Sequence, residues 1–193
     1  MTNRPLRADA RRNRERILET AYTVFAAEGL TVPIDEVARR AGVGAGTVYR
    51  HFPTKEALLE AIVLTRVERL IAHAAHLLET AEADRAFFDF LTHMIDEGVA
   101  NRALADGLAG IGVDAETAAG GAEHTLQDVF AALLHRAQRA GAVRRDVEAA
   151  DVKALVVGCV AMRRQRPSKH LTAIVLDGLR PGAADTQLPR TPA

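Results

Sequence analysis

The stretch VARRAGVGAGTVYRHFPTKEAL, from Val37 to Leu58, constrains this chain more than any other. Val37, Ala41, Val43 and Val48 are apolar at the intervals of two short helices packed across a turn. Ala38 is small enough for the second helix to cross closely, and Gly42 supplies a turn residue that accepts a positive φ. Val48 and Phe52 fall on the inner side of such a unit. The outer side carries Thr47, Tyr49, Arg50 and His51, whose hydroxyls, guanidinium and imidazole reach phosphates or base edges. Two small helices with a donor-rich outer face are a means of placing side chains in the major groove of duplex DNA.

The run Ala41-Gly42-Val43, then Thr47-Val48-Tyr49-Arg50-His51-Phe52, then Lys55-Glu56-Ala57-Leu58 closely resembles the DNA-binding signature of the tetracycline-repressor (TetR) family. The likeness extends from Ile17 to Leu59 and is specific, because Thr-x-Tyr-x-His-Phe followed by Lys-Glu-x-Leu is far more restrictive than a bare helix-turn-helix spacing. It implies an all-α chain: an N-terminal three-helix DNA-binding domain, joined by a long helix to a C-terminal helical domain for ligand binding and dimerisation. The expected division is a disordered basic arm at 1–9, the helix-turn-helix domain at 10–54, the helical effector-binding and dimerisation domain at 55–180, and a disordered tail at 181–193.

Composition fits a small regulator. With 193 residues, 48% of them hydrophobic and 26% charged, the chain can bury a core and is not of disordered type. No apolar run reaches the eighteen residues of a membrane span, and the arginine-rich N-terminus has no apolar stretch of a secretory signal. A lone cysteine, Cys159, forms no internal disulfide, so a cytoplasmic site of action is expected. Net charge is zero but unevenly spread. Residues 1–55 hold ten Lys/Arg against six Asp/Glu, and the remainder is acidic by the same margin. DNA is therefore expected at one end only.

Helical periodicity covers nearly everything. The first helix is expected over about Ala10–Glu28, with Ile17, Ala21, Val24 and Phe25 on one face and Gly29 as its stop, and the basic arm at its start carries Arg4, Arg7, Arg11, Arg12 and Arg14. The second starts near Pro33 and the third spans Ala45–His51. Thr54 caps a long fourth helix striped by Leu58, Leu59, Ile62, Val63, Leu70, Ile71, Leu77 and Leu78. Ala83–Glu97 and Ala122–Ala140 are amphipathic, separated by the glycine- and alanine-rich Asn101–Gly121, which is expected to hold short helices and mobile connections. Two last helices are expected over Ala149–Arg164 and Ser168–Leu179.

Ala154, Leu155, Val157, Gly158 and Ala161 make a small-residue surface on the first of these, and Leu171, Ile174, Val175 and Leu179 a stripe on the second. The stripes alone leave two readings open: they close the monomer core, or they pair with a second copy. The resemblance implies the second, a four-helix bundle across a two-fold axis, and hence a homodimer reading a near-palindromic operator in double-stranded DNA.

Matching the signature places Ala45, Gly46, Thr47, Tyr49, Arg50 and His51 at groove-facing or backbone-facing positions. Tyr49 and His51 are assigned to phosphates, Lys55 to a phosphate at the first turn of the fourth helix, and Arg50 to a base. Many relatives carry a threonine where Pro33 stands, and proline can neither cap nor bond a phosphate there. Ala45 and Gly46 have minimal side chains, which moves specificity toward Thr47, Arg50 and DNA shape. The resemblance also implies a small-molecule effector in the C-terminal body that shifts the separation of the two recognition helices. Its expected lining is Phe87, Phe90, Leu91, Met94, Phe130, Leu134, Cys159 and Met162, with His93 as a polar contact, although most of these read as plain core.

No cofactor, metal or catalytic residue is expected. His73 and His76 lie three apart but no further ligand completes a zinc site. Cys159 sits in an apolar run without an evident base, and no phosphate loop or nucleophile elbow occurs. The expected function is a DNA-binding transcription regulator, a repressor released by a small effector. Its rival is a ligand-binding or enzymatic protein on the same fold with vestigial DNA binding, against which the intact Thr47, Tyr49, His51 and Lys55 argue.

Overall fold

The computed structural model describes residues 4–100 and 121–182. The described residues form eight helices and no strand: α1 (Arg4–Glu28), α2 (Ile34–Arg40), α3 (Ala45–His51), α4 (Lys55–Thr80), α5 (Ala83–Ala100), α6 (Ala122–Arg139), α7 (Ala149–Gln165) and α8 (Lys169–Asp177). Helix α1 begins at Arg4, six residues before the apolar periodicity marks a start, so helix occupies positions expected to be a disordered arm. Most of the Asn101–Gly121 segment and of the 181–193 tail lies outside the described residues.

The chain divides into two compact units, with boundaries at Ile71/Ala72 within α4, at Val99/Ala100 at the end of α5 and at Leu126/Gln127 within α6. In the N-terminal unit, α1, α2, α3 and the first part of α4 enclose one core. Ile17, Ala21 and Phe25 of α1, Val37 of α2, Val48 of α3, and Leu58 and Leu59 of α4 are all 0% exposed. Burying each large apolar side chain of this set stabilises the fold by about 1.5–3 kcal/mol relative to exposure. The first turns of α4 thus pack as part of the DNA-binding unit, which carries its compact boundary to Ile71.

The turns follow from the residues that make them. Gly29 ends α1 at φ +82°, its N–H bonded to the Phe25 carbonyl at 3.0 Å. Gly42 stands between α2 and α3 at φ +64°, a conformation that costs an L side chain roughly 1–2 kcal/mol. Pro33 is the residue before α2 rather than its first, in extended conformation and with no side-chain cap, as its chemistry requires. The hydroxyl of Thr54 accepts from the Ala57 N–H at 3.1 Å, the cap expected for α4.

In the C-terminal unit, the core is built from Ala74 and Leu77 of α4, Phe87, Phe90, Leu91 and Ile95 of α5, Leu133, Leu134 and Ala137 of α6, Val152 and Cys159 of α7, and Leu176 and Leu179 after them. Gly98 lets α5 and α7 approach: a Cβ there would lie 2.7 Å from Val160 Cγ2. Arg136 donates to the carbonyls of Leu78 at 2.8 Å and Ala81 at 2.7 Å, satisfying groups that the end of α4 leaves without helical partners. Among the described residues no helix is long and apolar enough to cross a membrane.

Candidate nucleic-acid interface

Helix α3 is held by Val48, 0% exposed, and by the Phe52 that follows it, 3% exposed. These two inward positions fix which side faces away. Gly46, Tyr49 and Arg50 are exposed, with Tyr49 at 46%, while Ala45, Thr47 and His51 are half-buried. Neither Tyr49 nor Arg50 has a side-chain partner among the described residues, so the hydroxyl and the guanidinium are available for an external acceptor. A Cβ at Gly46 would meet nothing within 4 Å, so this face of α3 is open. The six residues of α3 assigned to DNA thus share one short helix; Ala45 packs against the core and the His51 ring lies 6.1 Å from that of Phe52, while Tyr49 and Arg50 stand clear.

The other cations of this unit are mostly committed. Glu36 accepts from Arg39 at 2.7 and 2.6 Å and from Arg40 at 2.6 Å, and the Arg39 bonds, then those of Arg40, pull its carboxyl down to about 2. Arg40 also pairs with Glu28, which ties α2 to the end of α1, and that hydrogen bond holds the Glu28 carboxyl below its ordinary range. Arg66 lies 3.2 Å from the ring centre of Tyr22 and pairs with Glu19 at 3.1 Å, joined there by Arg69 at 2.6 Å. Arg14 lies over the Phe52 ring at 5.5 Å, which brings a further guanidinium to the base of α3.

Lys55 departs from expectation. Its ammonium turns inward, donating to the carbonyl oxygens of Leu30 and of Val32, the latter at 2.8 Å, and lies 5.3 Å from the ring centre of Phe25. Burial pushes its pKa below the ordinary lysine value, with Glu56 opposing. The side chain expected on a phosphate here fastens the loop between α1 and α2. Nothing in the local spacing marks this, because the acceptors lie 25 and 23 residues upstream.

The residues assigned to an effector cavity are mainly packed core. Phe87, Phe90, Leu91 and Cys159 are 0% exposed, Leu134 2% and Phe130 7%. The Phe130 ring lies 6.5 Å from Phe87 and 6.4 Å from Phe90, within ordinary aromatic packing. Burial raises the Cys159 pKa, against the pull of Arg163, as befits an inert thiol. His93 and Met94 are half-buried, and the His93 ring sits 4.5 Å from His73. Burial, then His93 and His76, lower the His73 pKa. Met162 differs from the rest of the set: it is 37% exposed on α7. Among the described residues no cluster of three metal-ligating side chains occurs.

On α7 and α8 the small and apolar residues singled out for pairing are largely uncovered. Ala154, Gly158 and Ala161 are exposed, and so are Leu155 at 37%, Val157 at 63% and Ile174 at 54%. Leu171 and Val175 are half-buried. Leu179 is different: it is 2% exposed and its carbonyl accepts from the Arg144 N–H at 3.0 Å, so it closes the monomer core and leaves the outer stripe.

Comparison with known proteins agrees with this arrangement. Residues 17–62 match the family model of bacterial regulatory proteins of the tetR family, and residues 82–181 match the C-terminal domain of SbtR-like transcriptional regulators. A TetR transcription regulatory protein from Mycobacterium vanbaalenii superimposes with a TM-score of 0.79 at 51% identity, over 92% of this chain and 100% of that one. The TetR transcriptional regulator SCO0520 of Streptomyces coelicolor does so at 0.74 and 35% identity, over 88% and 99%. An HTH-type transcriptional regulator of Staphylococcus aureus is 29% identical over 101 residues, 51% of this chain; the chain spans about half the length, 55%, of the curated relatives it matches. A three-helix DNA-binding unit followed by a helical body is the arrangement of these transcription regulators. The chain belongs to the TetR family, and it is a DNA-binding transcription regulator.

Proposed function

We propose that the protein is a cytoplasmic homodimeric repressor, not an enzyme, that holds a near-palindromic operator through two copies of α3 and releases it when a small molecule enters the C-terminal body. The observation that carries this reading is the outward face of α3, where Tyr49 and Arg50 stand exposed and unpaired while Val48 and Phe52 anchor the helix. Tyr49 and His51 bond phosphates, Thr47 and Arg50 read base edges, and Ala45 and Gly46 allow the sugar-phosphate backbone to come close. Lys55 acts at one remove, by fixing the loop that positions α2 beneath α3. The uncovered stripe of Leu155, Val157 and Ile174 supports pairing through α7 and α8.

Titration of a labelled duplex from the region upstream of the gene tests this reading. Affinity is expected to fall by about a hundredfold or more between 50 and 200 mM salt, because each phosphate contact releases counterions. Tyr49→Ala is expected to weaken all duplexes alike, whereas Arg50→Ala also loses about 1–3 kcal/mol of discrimination between the native site and one altered at the contacted base pair. No binding at low salt, or equal loss of preference in both variants, contradicts the assignment.

A further inference from the structure

A recess of about 240 Å³ lies between α5, α7 and α8, wholly within the C-terminal unit, and none of the effector residues named above lines it. Phe88 and Leu176 supply apolar wall, and three cations, Arg163, Lys169 and Arg180, stand around it with two carboxylates, Asp96 and Asp177. Two of those cations are matched. Arg163 pairs with Asp96, and Arg180 donates to Asp177 at 3.3 Å while its guanidinium lies 4.2 Å from the ring centre of Phe88. Lys169 has no carboxylate partner among the described residues, which leaves the recess with one uncompensated positive charge.

Thr172 provides the second observation. It is only 6% exposed, it lines the recess, and its hydroxyl has no hydrogen-bond partner among the described residues. Four other helical threonines return the hydroxyl to the carbonyl four residues back: Thr23 to Glu19 at 3.0 Å, Thr65 to Ala61 at 2.7 Å, Thr80 to His76 at 2.7 Å and Thr92 to Phe88 at 2.8 Å; the helical Thr20, Thr47 and Thr125, which do not, are half-buried or exposed and so within reach of solvent. Thr172 does not return its hydroxyl either, and buried polar groups left without partners are uncommon in native proteins. Lys169 and Thr172 are three apart on α8, so both occupy one side of it.

We propose that this recess is a binding site for a small organic monoanion, a carboxylate on a compact apolar body. The carboxylate accepts from the Lys169 ammonium and the Thr172 hydroxyl, completing the charge and the buried hydroxyl of the recess that have no partner among the described residues, and the apolar body lies against Phe88 and Leu176. A monoanion matches the single unpaired cation. The volume equals that of about eight waters, enough for a molecule the size of benzoate. The site stands independently of the repressor reading, because it requires neither DNA nor a change in DNA affinity.

The test uses the purified full chain without DNA and benzoate as the probe, followed by calorimetry and by the thermal midpoint. Saturable binding is expected, with affinity reduced tenfold or more in Thr172→Val and in Lys169→Gln, and for the neutral analogue benzamide on the native chain. Without benzoate, Thr172→Val is expected to raise the midpoint by about 2 °C or more, because a methyl group replaces a buried hydroxyl that has no partner. This also shows that the variant folds. Absence of saturable binding to the native chain, unchanged affinity in the two variants, or a lowered midpoint in Thr172→Val overturns the proposal.

Discussion

Replacing Val157 and Ile174 together with glutamate is expected to give a folded monomer that loses operator affinity by about 10²–10⁴-fold. Both side chains are more than half exposed, at 63% and 54%, so charge at these positions removes little packing from the chain itself. Secondary structure and the thermal midpoint of the isolated chain are therefore expected to change little. In a dimer the same positions are desolvated against a second copy, where unpaired carboxylates are strongly unfavourable. Once the halves separate, each α3 must hold DNA alone, and the gain from tethering one half-site reader to the other is lost. Light scattering and duplex titration on one preparation check both parts. A variant that stays dimeric moves the interface elsewhere, and a monomer that binds with native affinity removes the need for pairing.

Phe90→Ala has the largest expected effect on the fold. The ring is 0% exposed at the centre of the C-terminal unit, 6.4 Å from Phe130 and 6.3 Å from His73. Truncation removes the transfer energy of the ring and leaves a void, a loss of about 3–5 kcal/mol. For a chain of 193 residues this corresponds to a fall of about 6–20 °C in the thermal midpoint, read by calorimetry or circular dichroism. The size of the loss also decides between the two readings of this residue. A core ring gives the full effect, whereas a ring lining a roomy cavity, already short of neighbours, gives about 1 kcal/mol or less.

The DNA-reading unit was legible because its determinants are local. The glycine turn at Gly42, the apolar Val48 and Phe52 and the Thr54 cap each act within a few residues of their effect, and the structure shows them at φ +64°, at 0% and 3% exposure, and with the expected N–H bond to Thr54. Side chains that act across the fold were not. Lys55 sits next in sequence to a helix start that attracts phosphates, yet its ammonium finds carbonyls more than twenty residues away. Met162 lies one turn beyond the buried Cys159 on α7, where a single step around the helix separates interior from surface. The recess draws on Phe88, Lys169 and Thr172, from helices far apart in sequence, and no periodicity marks a hydroxyl that will lack a partner. The stripe holding Leu179 left core and pairing open, and Leu179 closes the core, because periodicity fixes a face, not what covers it.

Selection of bound duplexes from a random-sequence library, using the native chain at 150 mM salt, shows whether two recognition helices read DNA together. The enriched sequences are expected to contain two inverted half-sites centred about one helical turn apart, or a multiple of it, each protected by one copy of α3. Enrichment of a single unrepeated half-site, or none above the input library, would contradict a dimer that reads DNA with paired recognition helices.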